Sequence, residues 1–151
     1  MSDLRELYQE VIFDHYRHPR NRGALADANH KAVGYNPLCG DRISLYLLVE
    51  DGIVKSVRFE GSGCAIATAS ASMMTEALVG KSETQVQALF ERFHAMVTEQ
   101  REPSADEREA LGKLATLAGV REFPARIKCA TLAWHTLRAA LNDAGETVST
   151  E

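Results

Sequence analysis

Three cysteines and one aspartate are the residues of this chain whose types and surroundings suit metal or sulfur chemistry: Cys39, Asp41, Cys64 and Cys129. Three thiols cannot all pair within one chain, and they are too few for a disulfide scaffold. Three thiolates and a carboxylate would supply the four ligands of a tetrahedral zinc site. Sulfur ligands also suit iron–sulfur clusters, so the residue types leave the choice between the two open. Alternatively, the three cysteines are buried apolar residues that only pack in the core and bind no metal.

The predicted positions of the thiols favour thiolate over thiol. Cys39 lies in a tight loop, because the stretch YNPLCGD places a proline and a glycine on either side of it. Cys64 follows a Gly-Ser-Gly turn at the start of one predicted helix, and Cys129 lies in the first two turns of the last one. A helix N-terminus stabilises an anion, as do cations such as Arg126 and Lys128 near the third thiol. This pattern predicts thiolates that converge at one end of a sheet.

The hydrophobic pattern around these residues predicts an α+β domain, in which a small antiparallel three-stranded β-sheet carries helices packed on one face. Residues 3–17 predict an amphipathic helix. Strict alternation in RISLYLLVEDGIVKSVRFEG predicts a hairpin that turns at Asp51-Gly52, with Ile53 on its buried face and a third strand near residues 31–36. A run of helices follows, which we expect over residues 64–80, from residue 82, over residues 104–119 and from residue 124.

Composition and motifs exclude several other classes of protein. The net charge of −4 gives no support for nucleic-acid binding, and no apolar run approaches the roughly 18 residues that span a membrane. The chain lacks a Ser/His/Asp arrangement, a P-loop and a dinucleotide fingerprint, and its histidines have no partner at metal-binding spacing. The N-terminus lacks the hydrophobic segment of a signal peptide. We therefore expect a cytoplasmic protein with neither a nucleic acid nor a membrane as partner.

Three motifs occur in order along the chain: NPLCGD, GSGCAIATASASMM and RIKCATLAW. With these motifs the sequence resembles the U-type iron–sulfur cluster assembly proteins, the group that contains NifU N-terminal domains, IscU and SufU. The resemblance runs from the N-terminal helix through HPRNRG to the last helix. Lys128 stands where the IscU-type scaffold has a histidine, and EFPARIK replaces its Leu-Pro-Pro-Val-Lys chaperone-docking segment. These departures, with an inserted helical segment around residues 100–118, resemble the SufU branch.

The resemblance implies a SufE/NifU-like fold over residues 1–151, and we expect the tail over residues 143–151 to be flexible. It also implies a zinc site formed by four ligands: Cys39, Asp41, Cys64 and Cys129. A purely structural zinc site is disfavoured, because closed structural sites usually hold only cysteine and histidine. The implied partners are a SufS-type cysteine desulfurase, which hands over persulfide sulfur, and a downstream iron–sulfur assembly complex.

The leading hypothesis is a zinc-dependent sulfurtransferase in which Cys39 accepts the sulfur. A thiolate on a loop can leave the metal at lower conformational cost than a thiolate on a helix. Arg126 is a candidate for stabilising the thiolate or contacting the partner, although it also fits an ordinary charged residue in the first turn of a helix. The alternative function is a scaffold that assembles and transfers a [2Fe–2S] cluster on the same three cysteines, with iron in place of zinc.

Overall fold

The computed structural model describes residues 2–37, 40–99, 104–142 and 147–149. Its elements, in chain order, are α1 (Ser2–Arg17), β1 (His30–Asn36), β2 (Asp41–Glu50), β3 (Ile53–Ser62), α2 (Ala65–Leu78), α3 (Glu83–Thr98), α4 (Ala105–Leu111), a 3₁₀ helix (Gly112–Glu122), α5 (Pro124–Leu141) and β4 (Thr147–Ser149). The predicted α+β architecture, with three antiparallel strands followed by helices, is confirmed.

The sheet brings the end of β1 beside the start of β2. Its strand order is β3-β2-β1-β4, and the first three strands pair antiparallel. Asp51 and Gly52 have φ angles of 54° and 74°, which confirms the predicted turn between β2 and β3. Asn36 pairs with Asp41 at the other end of β2, so the connection that contains the first cysteine motif leaves and re-enters the sheet at one edge.

A β-bulge changes which residue of β3 reaches the core. Leu48 pairs with Ser56 whereas Val49 pairs with Val54, so Lys55 is an extra residue on β3. Val54 is fully buried and Ile53 only partly, and the expectation that Ile53 continues the buried face was therefore wrong. The alternation along the strand gives no sign of the bulge.

The C-terminal residues Thr147–Ser149 form a strand parallel to β1, opposite Val33, Gly34 and Tyr35. This differs from the flexible tail that we expected over residues 143–151, of which 143–146, 150 and 151 lie outside the described residues. An edge strand presents unpaired N–H and C=O groups, and β-branched residues such as Thr147 and Val148 favour adding to it.

The helix predicted over residues 104–119 is divided into two pieces. The capping box of Ser104 and Glu107 begins α4 as expected, but α4 ends at Leu111. Gly112 adopts a φ of 59°, which is outside the helical region, and the chain continues as a 3₁₀ helix to Glu122. The following helix, α5, begins at Pro124, as its sequence predicts.

The core lies between the sheet and the helices α2 and α5, and it holds the start of each helix in place. Trp134 of α5 is buried and stacks on Phe93 of α3, with ring centroids 4.6 Å apart. Its indole N–H donates to Ser70 Oγ of α2 at 3.2 Å, and the Ser70 hydroxyl donates to the carbonyl of Ala130 at 2.6 Å. This buried network ties α2 to α5, and with them the residues near their N-termini. Among the described residues, no helix is long and apolar enough to cross a membrane.

Candidate metal centre

Three of the four predicted ligands meet at the edge where β2 and the helices α2 and α5 begin. Asp41 is the first residue of β2, Cys64 is the N-cap of α2, and Cys129 lies in the second turn of α5. One ligand atom from each lies within 4.8 Å of the others. Within the described ranges, these three make up the group of cysteine, histidine and acidic side chains close enough to share an ion. Cys39 lies outside the described residues.

Asp41 is buried, and one of its carboxylate oxygens is held by the backbone. Oδ1 accepts a hydrogen bond of 2.9 Å from the backbone N–H of Cys64, while Oδ2 lies 3.8 Å from the Cys64 Sγ. A buried carboxylate is costly unless it is hydrogen-bonded or paired, and the N-terminus of α2 supplies a donor and a positive dipole end. The carboxylate is thus oriented with one oxygen toward the sulfur.

The Gly-Ser-Gly turn before Cys64 is required by this close packing. A side chain on Gly61, which has a φ of 134°, would overlap the backbone carbonyl of Arg42. A Cβ on Gly63 would lie 3.1 Å from Oδ1 of Asp41. The two glycines therefore let the chain pass the start of β2 closely enough for the carboxylate to reach the helix N-terminus.

Cys64 and Cys129 differ in exposure. Cys64 is exposed, and its Sγ caps α2 by accepting the backbone N–H of Ala67 at 3.4 Å. Cys129 is buried, and its Sγ lies 4.0 Å from the Nδ2 atom of Asn36, which is itself fully buried. Asn36 is a site residue that the sequence reasoning missed, because an asparagine before a proline indicates only a turn.

Arg126 lies on the same helix as Cys129 but outside this group. Its side chain is exposed, and the guanidinium lies over the ring of Phe123 at 4.5 Å. Phe123 is itself 47% exposed. The two side chains form an exposed cation–π pair at the start of the third cysteine motif.

The described histidines have other surroundings. His15 is buried against α2, where burial lowers the pKa of its imidazole. His94 and His135 form an edge-to-face pair beside a surface cavity of about 260 Å³ between α3 and α5, and burial likewise lowers the pKa of His135. No described histidine joins the metal-binding group.

The donor set fits a zinc ion. A sulfur and a carboxylate oxygen bound to tetrahedral zinc lie about 3.6 Å apart, because the Zn–S bond is about 2.3 Å and the Zn–O bond about 2.0–2.2 Å long. The separation of 3.8 Å between Cys64 Sγ and Asp41 Oδ2 is of this size. Two thiols and one carboxylate leave one of the four tetrahedral positions for a further ligand.

The fold and the site define a class of small α+β domains that gather thiols for a metal ion or cluster where strands and helices begin. Residues 7–130 match the model of the NifU-like N terminal domain, and the chain belongs to this family. It is 43% identical over 141 residues to the iron–sulfur cluster assembly scaffold protein IscU of Streptococcus pyogenes serotype M1, covering 93% of this chain and 86% of that one. It is 44% identical over 136 residues to the zinc-dependent sulfurtransferase SufU of Bacillus subtilis, covering 90% of each.

A solved structure shares the fold. The crystal structure of FiSufU from Fervidobacterium islandicum AW-1, a candidate iron–sulfur cluster assembly scaffold of the SUF system, superposes with a TM-score of 0.81 at 31% identity. The match covers 90% of this chain and 97% of that one.

Proposed function

We propose that this protein acts in iron–sulfur cluster assembly as a zinc-dependent sulfurtransferase that accepts persulfide sulfur from a cysteine desulfurase. The observation that carries the proposal is the convergence of Asp41, Cys64 and Cys129 within 4.8 Å of one another. The similarity to a SufU relative named as a zinc-dependent sulfurtransferase, which extends over 90% of both chains, supports it. The proposed place of action is the cytoplasm, where thiols stay reduced.

In this proposal, zinc is held by four ligands: Cys39, Asp41, Cys64 and Cys129. The ion supplies a charge that keeps thiolates deprotonated near neutral pH. Asp41 orients the site through its hydrogen bond from the Cys64 N–H, and the two helix-borne thiols are anchored by α2 and α5. These two thiols would hold the ion, and Cys39 would supply the reactive thiolate.

Cys39 is the proposed sulfur acceptor. Its thiolate attacks the outer sulfur of the desulfurase persulfide, the sulfur–sulfur bond of that persulfide breaks, and the desulfurase cysteine leaves as a thiolate. The product is a persulfide on Cys39, and the proton of the transferred sulfur moves with it. The neighbouring Gly40 has a φ of 74° and donates its N–H to the Asn36 carbonyl, a turn geometry that glycine adopts at low cost.

Arg126 is proposed to contact the desulfurase. Its exposure and its cation–π contact with the exposed ring of Phe123 suit a protein-facing surface better than a contact with the buried Cys129 thiol. Arginine and aromatic side chains are enriched at such interfaces. The sulfur would then pass to a downstream iron–sulfur assembly complex.

A second candidate function is a scaffold that assembles and transfers a [2Fe–2S] cluster on the same three cysteines. The observation that favours it is the similarity to a relative named as a scaffold protein IscU, at 43% identity over 93% of the chain. The cluster would be cargo on the thiolates rather than a resident cofactor. Metal analysis separates the two functions: the sulfurtransferase is expected to hold about one zinc per chain after expression in ordinary medium. Stoichiometric iron with visible charge-transfer absorption, and little zinc, would favour the scaffold.

The transfer step is tested by mass spectrometry after incubation with desulfurase, PLP and cysteine. Wild-type protein should gain one sulfur on the peptide that contains Cys39. Cys39→Ser should gain none even where metal remains bound, whereas Asp41→Ala, which removes a ligand but no nucleophile, should keep part of the transfer. A persulfide on Cys64 or Cys129, with Cys39→Ser still active, would assign the acceptor to another thiol.

A further inference from the structure

A buried amide lies against the thiol that is deepest in the metal centre. Asn36, the last residue of β1, is fully buried, and its Nδ2 atom is 4.0 Å from the Sγ of Cys129. We propose that Asn36 is a positioning residue: its side-chain N–H points at the Cys129 sulfur and holds it toward Asp41 and Cys64. The proposal rests on the metal site of the proposed function, but it does not depend on sulfur transfer.

The backbone fixes where this amide can reach. Asn36 pairs with Asp41 across the β1–β2 ladder, and its carbonyl accepts the Gly40 N–H at 2.9 Å. Along β1, the buried positions alternate as Ala32, Gly34 and Asn36, so the asparagine side chain is on the face that packs against α5. One strand end therefore places Asp41 and the amide in register on neighbouring strands.

A polar side chain at this position is costly unless its hydrogen-bonding groups are used. The amide carries two N–H donors and one acceptor, and burial removes the water that would otherwise satisfy them. The two buried positions before it on β1 are held by the small residues Ala32 and Gly34. A small apolar residue at position 36 would continue this pattern without the free-energy cost of burying an amide. A donor aimed at a sulfur gives the amide a use that an apolar side chain could not supply.

We expect the Asn36 N–H donor to stabilise the Cys129 sulfur mainly when that sulfur is a charged thiolate. A donor binds an ionised acceptor more strongly than a neutral one, so the contact should tighten when Cys129 ligates a metal as thiolate. Side chains that orient metal ligands in this way typically affect metal affinity by 10- to 100-fold. Asn36 would thus act on the metal through Cys129, without being a ligand itself.

The test compares zinc affinity, measured by competition with a chromophoric chelator, in wild type, Asn36→Ala and Asn36→Leu. Both variants should bind zinc about tenfold or more weakly, since both lack the N–H donor. Thr136→Val is the matched control, because Thr136 is also buried on the α5 face toward β1 but donates to the Leu132 carbonyl. It should bind zinc within about twofold of wild type. Cobalt-substituted Asn36 variants should also show altered sulfur-to-cobalt charge-transfer bands.

A second measurement uses unaltered protein, so the test survives a variant that does not fold. In ¹⁵N-edited NMR spectra, one side-chain amide proton of Asn36 should shift downfield when zinc is added. Unchanged zinc affinity and cobalt spectra in a folded Asn36 variant, or an amide resonance that does not respond to zinc, would overturn the proposal. Wild-type protein that binds no zinc would instead overturn the metal site of the proposed function.

Discussion

Helix α2 and its N-cap contribute residues to two polar clusters, which are built differently. The metal cluster, our name for the proposed metal ligands Asp41, Cys64 and Cys129, lies at its N-terminus. About two turns further along is the Ser72 cluster, which consists of His15, Arg20, Ser72 and Glu76. There, Ser72 Oγ lies 2.8 Å from Nδ1 of His15 and accepts the backbone N–H of Arg20 at 2.9 Å. In the metal cluster, the Sγ of Cys64 lies 3.4 Å from the backbone nitrogen of Ala67 and 3.8 Å from Oδ2 of Asp41, which are usual distances for sulfur.

Burial and titratable chemistry alone do not distinguish a site from a structural network. The Ser72 cluster joins α1, the HPRNRG segment and α2 through two short hydrogen bonds that share the Ser72 hydroxyl. The metal cluster instead brings two sulfurs and a carboxylate oxygen within 4.8 Å of one another, close enough to share one ion. The convergence of metal-ligating atoms, more than burial, therefore separates the two clusters. The predictions below test whether they also separate in function.

Removing the metal should have the largest effect. Zinc at a thousand times its dissociation constant stabilises a protein by about 4 kcal/mol, which shifts Tm by roughly 8–16 °C at this chain length. Cys64→Ser and Cys129→Ser should lose zinc and this increment together, because binding free energy adds to folding free energy. Thermal melts with and without a strong chelator measure it. Variants that melt like wild type while metal-free would show that the metal cluster is unimportant to the fold.

Ser72→Ala should have the next largest effect, on stability alone. It leaves His15 Nδ1 and the Arg20 N–H without their common partner, at a cost of about 1–3 kcal/mol for a buried unsatisfied group. Urea unfolding measures the loss, and zinc stoichiometry should be unchanged. A matching loss of zinc would mean that the two clusters are coupled through α2.

Acid should weaken the Ser72 cluster through His15. Burial lowers the pKa of this imidazole, Arg20 and Lys113 lower it further, and Glu76 and Asp14 oppose them. Below its ordinary pKa of 6.5, the unfolded chain takes up a proton that the folded state resists, so stability should fall as the pH drops from 6.5 toward the lowered value.

The measurement is urea unfolding between pH 7 and pH 5 in a Cys129→Ser background, where metal release does not contribute. Adding His15→Gln should flatten the pH dependence. Burial also lowers the pKa of His135, so His135→Gln serves as the parallel control for a second buried imidazole. An equally steep pH dependence without His15 would assign the acid sensitivity to other groups.

Asp14→Asn should have the smallest effect, although its contact is short. Asp14 Oδ2 lies 2.6 Å from the Arg20 guanidinium, and this hydrogen bond lowers the pKa of the carboxyl. Its side chain is half exposed, and water and salt screen such pairs. Melts at low and high salt should differ little from wild type. A loss as large as that of Ser72→Ala would place Asp14 within the cluster's buried network.

Local signals predicted much of the fold and the convergence of Cys64 and Cys129. Asp51-Gly52 specifies its turn by backbone preference alone, and Pro124 specifies the start of α5. Cys64 and Cys129 were expected to converge because both begin helices that follow a sheet. These inferences needed only the chemistry of adjacent residues and one assumption about topology.

Features that depend on distant partners could not be predicted. The bulge at Lys55 depends on the register between two strands, and β4 depends on an open edge of β1 far earlier in the chain. Asn36 reads as a turn residue from its neighbours, and only the packing of α5 on β1 places its amide beside Cys129. Pairing across the sheet and packing across the core carry that information.

Because the two clusters lie about two turns apart along α2, both depend on the number of residues between Cys64 and Ser72. An α-helix rises 1.5 Å and turns about 100° per residue, so one inserted residue between Cys64 and Ser72 would rotate one cluster away from its partners. Either the thiol would leave Asp41 or the hydroxyl would leave His15. Insertions and deletions should therefore be absent from this stretch in working relatives, even where substitutions are common. The segment from Cys64 to Ser72 should therefore have a constant length, so that homologous sequences align over it without gaps.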